Sequence, residues 1–135
     1  MRRLFGLALL IALVTTGMSC GDKTPSGPSG PGELQVRLTA PIGGLDSAIE
    51  LTISGPAPLT SVTAGSGLRL FQGQLGGSST NVALIGPLTN GALILTIGIQ
   101  DLAQLSQYHG TITGVALPNS QLRNLPGGYA LALTR

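Results

Sequence analysis

The side chains of this chain that could do chemistry are few, and their spacing decides what they can do. The sequence holds one cysteine, Cys20, and one histidine, His109. Zinc and copper sites draw on clustered His and Cys ligands, and these two residues supply no cluster. Calcium asks for several converging oxygens. Asp46 and Glu50 lie near each other in a strand-like stretch, where they need not converge, and no EF-hand spacing occurs. A glycosidase needs two facing carboxyls. Beyond the first 32 residues the acids are Glu33, Asp46, Glu50 and Asp101. Glu33 and Glu50 fall at solvent-facing strand positions, and Asp101 falls where a helix cap would sit. Serines are plentiful, but no Gly-x-Ser-x-Gly elbow is present. Ser66, between Gly65 and Gly67, reads as a turn, and no spacing joins His109 to an acid and a serine as a triad requires. Phosphate-loop and dinucleotide fingerprints are absent as well. The expectation is a chain with no catalytic residue, no metal ligand set and no cofactor, and so not an enzyme.

What remains is surface. Sugar-binding modules stack sugar faces on exposed rings. After the N-terminal segment the aromatic residues are Phe71, Tyr108 and Tyr129, with no tryptophan. Tyr129 opens an inward-alternating strand and is assigned to the core. Phe71 neighbours Leu70, so one of the two must face solvent. Tyr108 stands beside His109. Phe71, Tyr108 and His109 therefore form the candidate ligand surface. Charge adds little to it. Charged residues make up 9% of the chain, against roughly 25% in an average soluble protein. Without Arg2 and Arg3, the five basic residues (Lys23, Arg37, Arg69, Arg123, Arg135) balance five acidic ones (Asp22 and the four above). No basic patch speaks for nucleic acid.

The first twenty residues have the layout of a secretory signal. Arg2 and Arg3 form a positive start, Leu4 to Val14 is apolar apart from Gly6, and Thr15 to Ser19 is small or weakly polar apart from Met18. A helix over Leu4–Val14 would be about 16 Å long, well short of a hydrocarbon core roughly 30 Å thick. Gly17-Met18-Ser19-Cys20 resembles the lipobox of bacterial lipoproteins, with small Ser19 before the cysteine and Gly21 after it. It departs at Gly17, where leucine is usual. The resemblance implies cleavage before Cys20, a diacylglycerol on its sulfur, and anchoring of the mature chain in membrane lipid. A sole cysteine at this place in an exported chain fits lipidation better than pairing. Gly21, where an inner-membrane retention signal would carry aspartate, leans the expected location towards the outer membrane of the cell envelope.

The elements that must position the surface begin at Gly21. Gly21 to Gly32 reads GDKTPSGPSGPG, with no apolar side chain to bury, and is expected to be a disordered, extended tether. From Glu33 the pattern alternates. Leu34, Val36 and Leu38 oppose Gln35, Arg37 and Thr39. Pro41 to Gly44 makes a turn, and Ile49, Leu51 and Ile53 alternate with Glu50, Thr52 and Ser54. Further strands are expected over 59–64, 68–75 and 81–85, then from 93 to 99, where apolar residues on both faces predict a central strand. Asn90-Gly91 is the strongest hairpin signal. Asp101 caps one helical turn ending near Ser106, and Tyr108 to Leu117 is strand-like with a bulge at Gly110 or Gly114. Tyr129, Leu131 and Leu133 define the last strand.

The domains are thus a signal peptide (1–19), a lipidated cysteine with its Gly/Pro/Ser linker (20–32) and a β domain (33–135). About eight short strands with frequent turns predict an all-β, antiparallel two-sheet sandwich, immunoglobulin-like or cohesin-like, with a small barrel as the alternative. The GELQVRLTAP strand, the LTISGP strand, the Asp101-to-Tyr108 passage and the aromatic-led last strand resemble cohesin-like and carbohydrate-binding-like β-sandwiches. That resemblance concerns architecture and carries no function. The expected role is a membrane-anchored, non-catalytic module that binds an envelope protein or serves structurally. The alternative is a carbohydrate-binding module with a polysaccharide partner.

Overall fold

A computed structural model describes residues 27–41, 46–119, 121–123 and 127–135. The signal segment, Cys20 and most of the tether lie outside the described residues, as does most of the expected turn after Thr39. The described chain is a two-sheet antiparallel β-sandwich. Its strands are β1 (Gly32–Thr39), β2 (Ala48–Ser54), β3 (Ser61–Ala64), β4 (Arg69–Gln72), β5 (Ser79–Ile85), β6 (Leu93–Ile99), β7 (His109–Ala116), β8 (Leu122–Arg123) and β9 (Ala130–Thr134), with a 3₁₀ helix at Leu102–Gln107. One sheet runs β3-β6-β1-β9 and the other β4-β5-β2-β7-β8. Only β4–β5 and β7–β8 are joined as neighbours within a sheet, and every other connection crosses between sheets.

Alternation builds the core. Leu34, Val36 and Leu38 of β1 are fully buried, and so are Ile49, Leu51 and Ile53 of β2 and Val82 and Leu84 of β5. Their odd-numbered or even-numbered neighbours face outward, as a period of two demands. β6 lies between β3 and β1, the central position that its two-sided apolar character predicts.

Two bulges bend the rule. The register of β1 on β6 shifts between Val36 and Arg37, whose partners are Leu95 and Leu93. Ile94 is the extra residue, and both Ile94 and Leu95 are buried. Leu93 is thereby paired with outward-facing Arg37 and does not share the face of Leu95, Ile97 and Ile99. A second shift places Gly114 opposite Glu50 and Ile112 opposite Leu51. Thr113 is extra there, so Ile112 and Val115, on opposite faces under strict alternation, both pack on the core. Gly114 is one of the two glycines expected to mark this bulge.

Asn90-Gly91 does not close a hairpin. β5 and β6, on either side of it, belong to different sheets. The turn is nonetheless real: Ala92 N donates to Thr89 O at 3.1 Å, and Gly91 has φ +79°. The Asn90 side chain is spent on the residue just after β1, accepting from Ala40 N at 3.0 Å. A turn dipeptide reports local backbone geometry and not which strand is paired next.

The interior is not wholly apolar. Thr80, on the inward side of β5 opposite Ile53, is 2% exposed, and its hydroxyl has no hydrogen-bond partner. A buried hydroxyl without a partner bears its full desolvation cost. Replacing it by a methyl of the same shape, Thr80→Val, is expected to stabilise the fold by about 1 kcal/mol. A higher urea midpoint with an unchanged slope will register the gain.

Candidate functional site

The register of the five-stranded sheet sorts its outward side chains into transverse rows. One row runs Arg69, Ile85, Ala48, Ala116, Leu122 across all five strands. The next runs Phe71, Ala83, Glu50, Gly114. Beyond these the face turns polar, with Asn81, Thr52 and Thr111 in one row and Ser79, Ser54 and His109 in another. Side-chain hydrogen bonds knit the polar rows. Thr52 Oγ1 donates to Asn81 Oδ1 at 2.8 Å, and the Ser54 and Ser79 hydroxyls lie 3.1 Å apart.

The large hydrophobic side chains exposed among the described residues are Phe71 (52%), Ile85 (45%) and Leu122 (77%). All three stand on the first two rows of this one face, which also carry Arg69 and Glu50. Between Ile85 and Leu122 is a shallow pit of about 180 Å³, lined also by Ala48, Glu50, Ala83, Gly114 and Ala116; Phe71 lies outside it. The outer face of the other sheet differs. Glu33, Arg37 and Thr39 of β1, Thr63 of β3 and Thr134 of β9 are exposed there, and Arg37 donates to Gln35 Oε1 and to the Gly91 carbonyl.

Of the three expected surface residues, Phe71 and His109 are exposed, on the same sheet face but in different rows. Leu70 points inward and Phe71 outward, as the Leu70–Phe71 pair requires. Tyr108 does not belong to the surface. It is 4% exposed and joins the core cluster, and a Cβ on Gly55 would collide with its ring. Its hydroxyl donates to Ala57 O at 3.4 Å. The absence of a side chain at Gly55 gives the ring its berth, a long-range contact that no local pattern announces. Tyr129 is half-buried against the core, and its hydroxyl donates to the carboxylate of buried Asp46.

Ile85 was legible in the outward parity of β5, set against inward Val82 and Leu84. Leu122 was not, because its strand is two residues long and carries no periodicity.

The acids occupy separate places. Glu33 and Glu50 are exposed on opposite sheets, Asp46 is buried with Tyr129, and Asp101 caps the 3₁₀ helix. Asp101 Oδ1 accepts from Ala103 N at 2.9 Å and from Gly30 N at 3.0 Å, while Leu102 N donates to Gly30 O at 2.8 Å. The last residues of the expected tether are therefore tied into the fold. Among the described residues no three His, Cys, Asp or Glu side chains converge as metal ligands would. None of the helices there is long and apolar enough to cross a membrane. The pocket beside His109 is lined by Leu105, Ser106, Tyr108, Gly110, Leu131 and Leu133, with no carboxylate among them.

The fold and the face define an all-β sandwich whose exposed large hydrophobic side chains, among the described residues, gather at one end of the outer face of the five-stranded sheet. No family model, curated protein or solved structure matches the chain.

The helix cap and the buried tyrosine can each be probed. Removing the cap in Asp101→Ala deletes two backbone hydrogen bonds and is expected to cost about 1–2 kcal/mol. Amide exchange will speed up at Ala103 and Gly30 before it does in β1. Burial, reinforced by the Asp101 carboxylate, raises the Tyr108 pKa above its ordinary value. The folded state thus holds this proton more tightly than the unfolded chain. The associated stability is whole below about pH 10 and falls as pH climbs from there through the folded pKa. Tyrosinate absorbance of the native protein will show a late component that is lost in Tyr108→Phe.

Proposed function

We propose that this protein is an exported lipoprotein, held in membrane lipid through acylated Cys20, whose sandwich is a non-catalytic protein-binding module of the cell envelope. The observation that carries the binding half is the gathering of Phe71, Ile85 and Leu122 on one sheet face. Scattered exposed hydrophobes are ordinary, but a contiguous patch rimmed by polar residues marks an interaction site. The patch has the anatomy of a small interface: aromatic and aliphatic anchors, a pit for a side chain of the partner, and polar rows at its margin. Glu50 in its middle favours a partner that brings a lysine or arginine with its apolar anchors. The anchoring half rests on the signal layout and on Gly17-Met18-Ser19-Cys20. Gly21 favours the outer membrane.

A polysaccharide partner is the second reading. Phe71 favours it, as an exposed ring beside the hydrogen-bonding row Asn81–Thr52–Thr111. The paired platform of Phe71 with Tyr108 is not available to it, because Tyr108 is buried.

The anchor is tested by intact mass on protein purified from membranes, with Cys20→Ser as control. A chain starting at Cys20 with diacylglycerol is expected, and an unmodified chain would remove the anchor from the reading. The face is tested by photo-crosslinking in cells from position 122 and, as control, from position 63 on the other sheet. One discrete protein adduct from 122, lost in Phe71→Ser and absent from 63, is the expected outcome. Equal adducts from both positions would end the case for this face, and adducts to polysaccharide would favour the second reading.

A further inference from the structure

A second apolar feature lies away from that face, at the end of the sandwich where β1 begins and β9 finishes. There the incoming residues Gly27 to Ser29, the 3₁₀ helix and Arg135 enclose a groove of about 400 Å³. Its walls include Pro28, Leu102, Ala103 and Leu105. Leu102 packs so closely on Gly32 that a Cβ there would be 2.5 Å from its Cδ1. The groove is rigid on one side, since Asp101 clamps Gly30 to the start of the helix. Ala103 and Ser106 are exposed, and Leu102 and Leu105 are half-buried.

We infer that this groove is a lipid-contact site, through which the domain rests on the bilayer that anchors it. The inference builds on the proposed acylation of Cys20. Length of chain carries it. Gly27, which lines the groove, is seven residues from Cys20. Seven residues span at most about 25 Å. The end of the domain bearing the groove is therefore the end that the anchor holds beside the membrane. A short tether of this kind gives a high effective concentration, so a weak contact suffices. The chemistry matches an interface: aliphatic side chains enter the boundary between headgroups and acyl chains, while the Arg135 guanidinium meets lipid phosphates. The ligand class is an anionic phospholipid surface.

The chain has no tryptophan, so one introduced tryptophan reports its surroundings alone. Ala103→Trp places it at the groove. Thr89→Trp places it in the exposed turn before β6, at the opposite end of the strands, where β1 finishes. Each lipidated full-length protein, its acylation verified by intact mass, is reconstituted in vesicles of phosphatidylglycerol and phosphatidylethanolamine carrying brominated acyl chains. Expected for Ala103→Trp is a blue-shifted emission quenched several-fold more strongly than that of Thr89→Trp, most by bromines near the headgroup. Equal, weak quenching at both positions in acylated protein would overturn the inference and leave the anchor intact. A blue-shifted Ala103→Trp that bromolipid fails to quench would overturn it too, placing the protein's own acyl chain in the groove. A mass without lipid would overturn the anchor, and the docking site with it. Circular dichroism matching the parent protein verifies that both variants are folded.

Discussion

Everything in this molecule rests on the aliphatic layer between its two sheets. The sole cysteine lies outside the described domain, so no disulfide within the chain staples it. Charged residues are too sparse for ion-pair networks to matter. What remains is burial, at roughly 1.5–3 kcal/mol for each large aliphatic side chain, set against the entropy of ordering the chain. The layer is centred on β1 and β2, each flanked by strands on both sides. Leu34, Val36 and Leu38 share one core cluster with Ile49, Leu51 and Ile53. Because the chain changes sheet at most of its connections, neither sheet can be completed without the other.

Much of this was readable from period-two alternation, and the failures have physical reasons. β1, β2 and β9 fall where alternation puts them, because each buries one side in a continuous apolar layer; β5 begins two residues before the expected strand, and β6 keeps its expected range but buries residues of both parities, Ile94 beside Leu95. The capped turn at Asp101 was readable from one acid and two leucines three residues apart. β8 was not, since two residues carry no period. Bulges at Ile94 and Thr113 reverse the parity of the residues beyond them, and parity can be read only until the first extra residue. Asn90-Gly91 misled because it encodes a bend, and the choice of partner strand is made by the core. Nine strands are described against about eight expected, the addition being this short β8.

The candidate surface shows the same division. Phe71 could be placed by opposing it to Leu70, a local argument. Tyr108 could not, because its burial depends on the absence of a side chain at Gly55 more than fifty residues away. Alternation tells which side chains leave the core on a given strand. It does not tell which of them become neighbours, since the rows across a sheet join residues distant in the chain: Arg69, Ala48 and Leu122 share one row. The asymmetry between the two outer faces is a property of register and had no counterpart in any single segment.

The pairing of β1 with both β6 and β9 also has a consequence in time. Residues 35–39 of β1 are matched to residues 130–134 of β9, the first strand of the domain to the last. A chain that emerges from its N-terminus holds one flank of β1 open until nearly its final residue has arrived. Such non-local closure is slow and leaves strand edges exposed while it is pending. That delay would suit the export proposed above, since one flank of β1 stays open until β9 has formed, and a loss of residues 130–134 would leave the opening strand half-clothed.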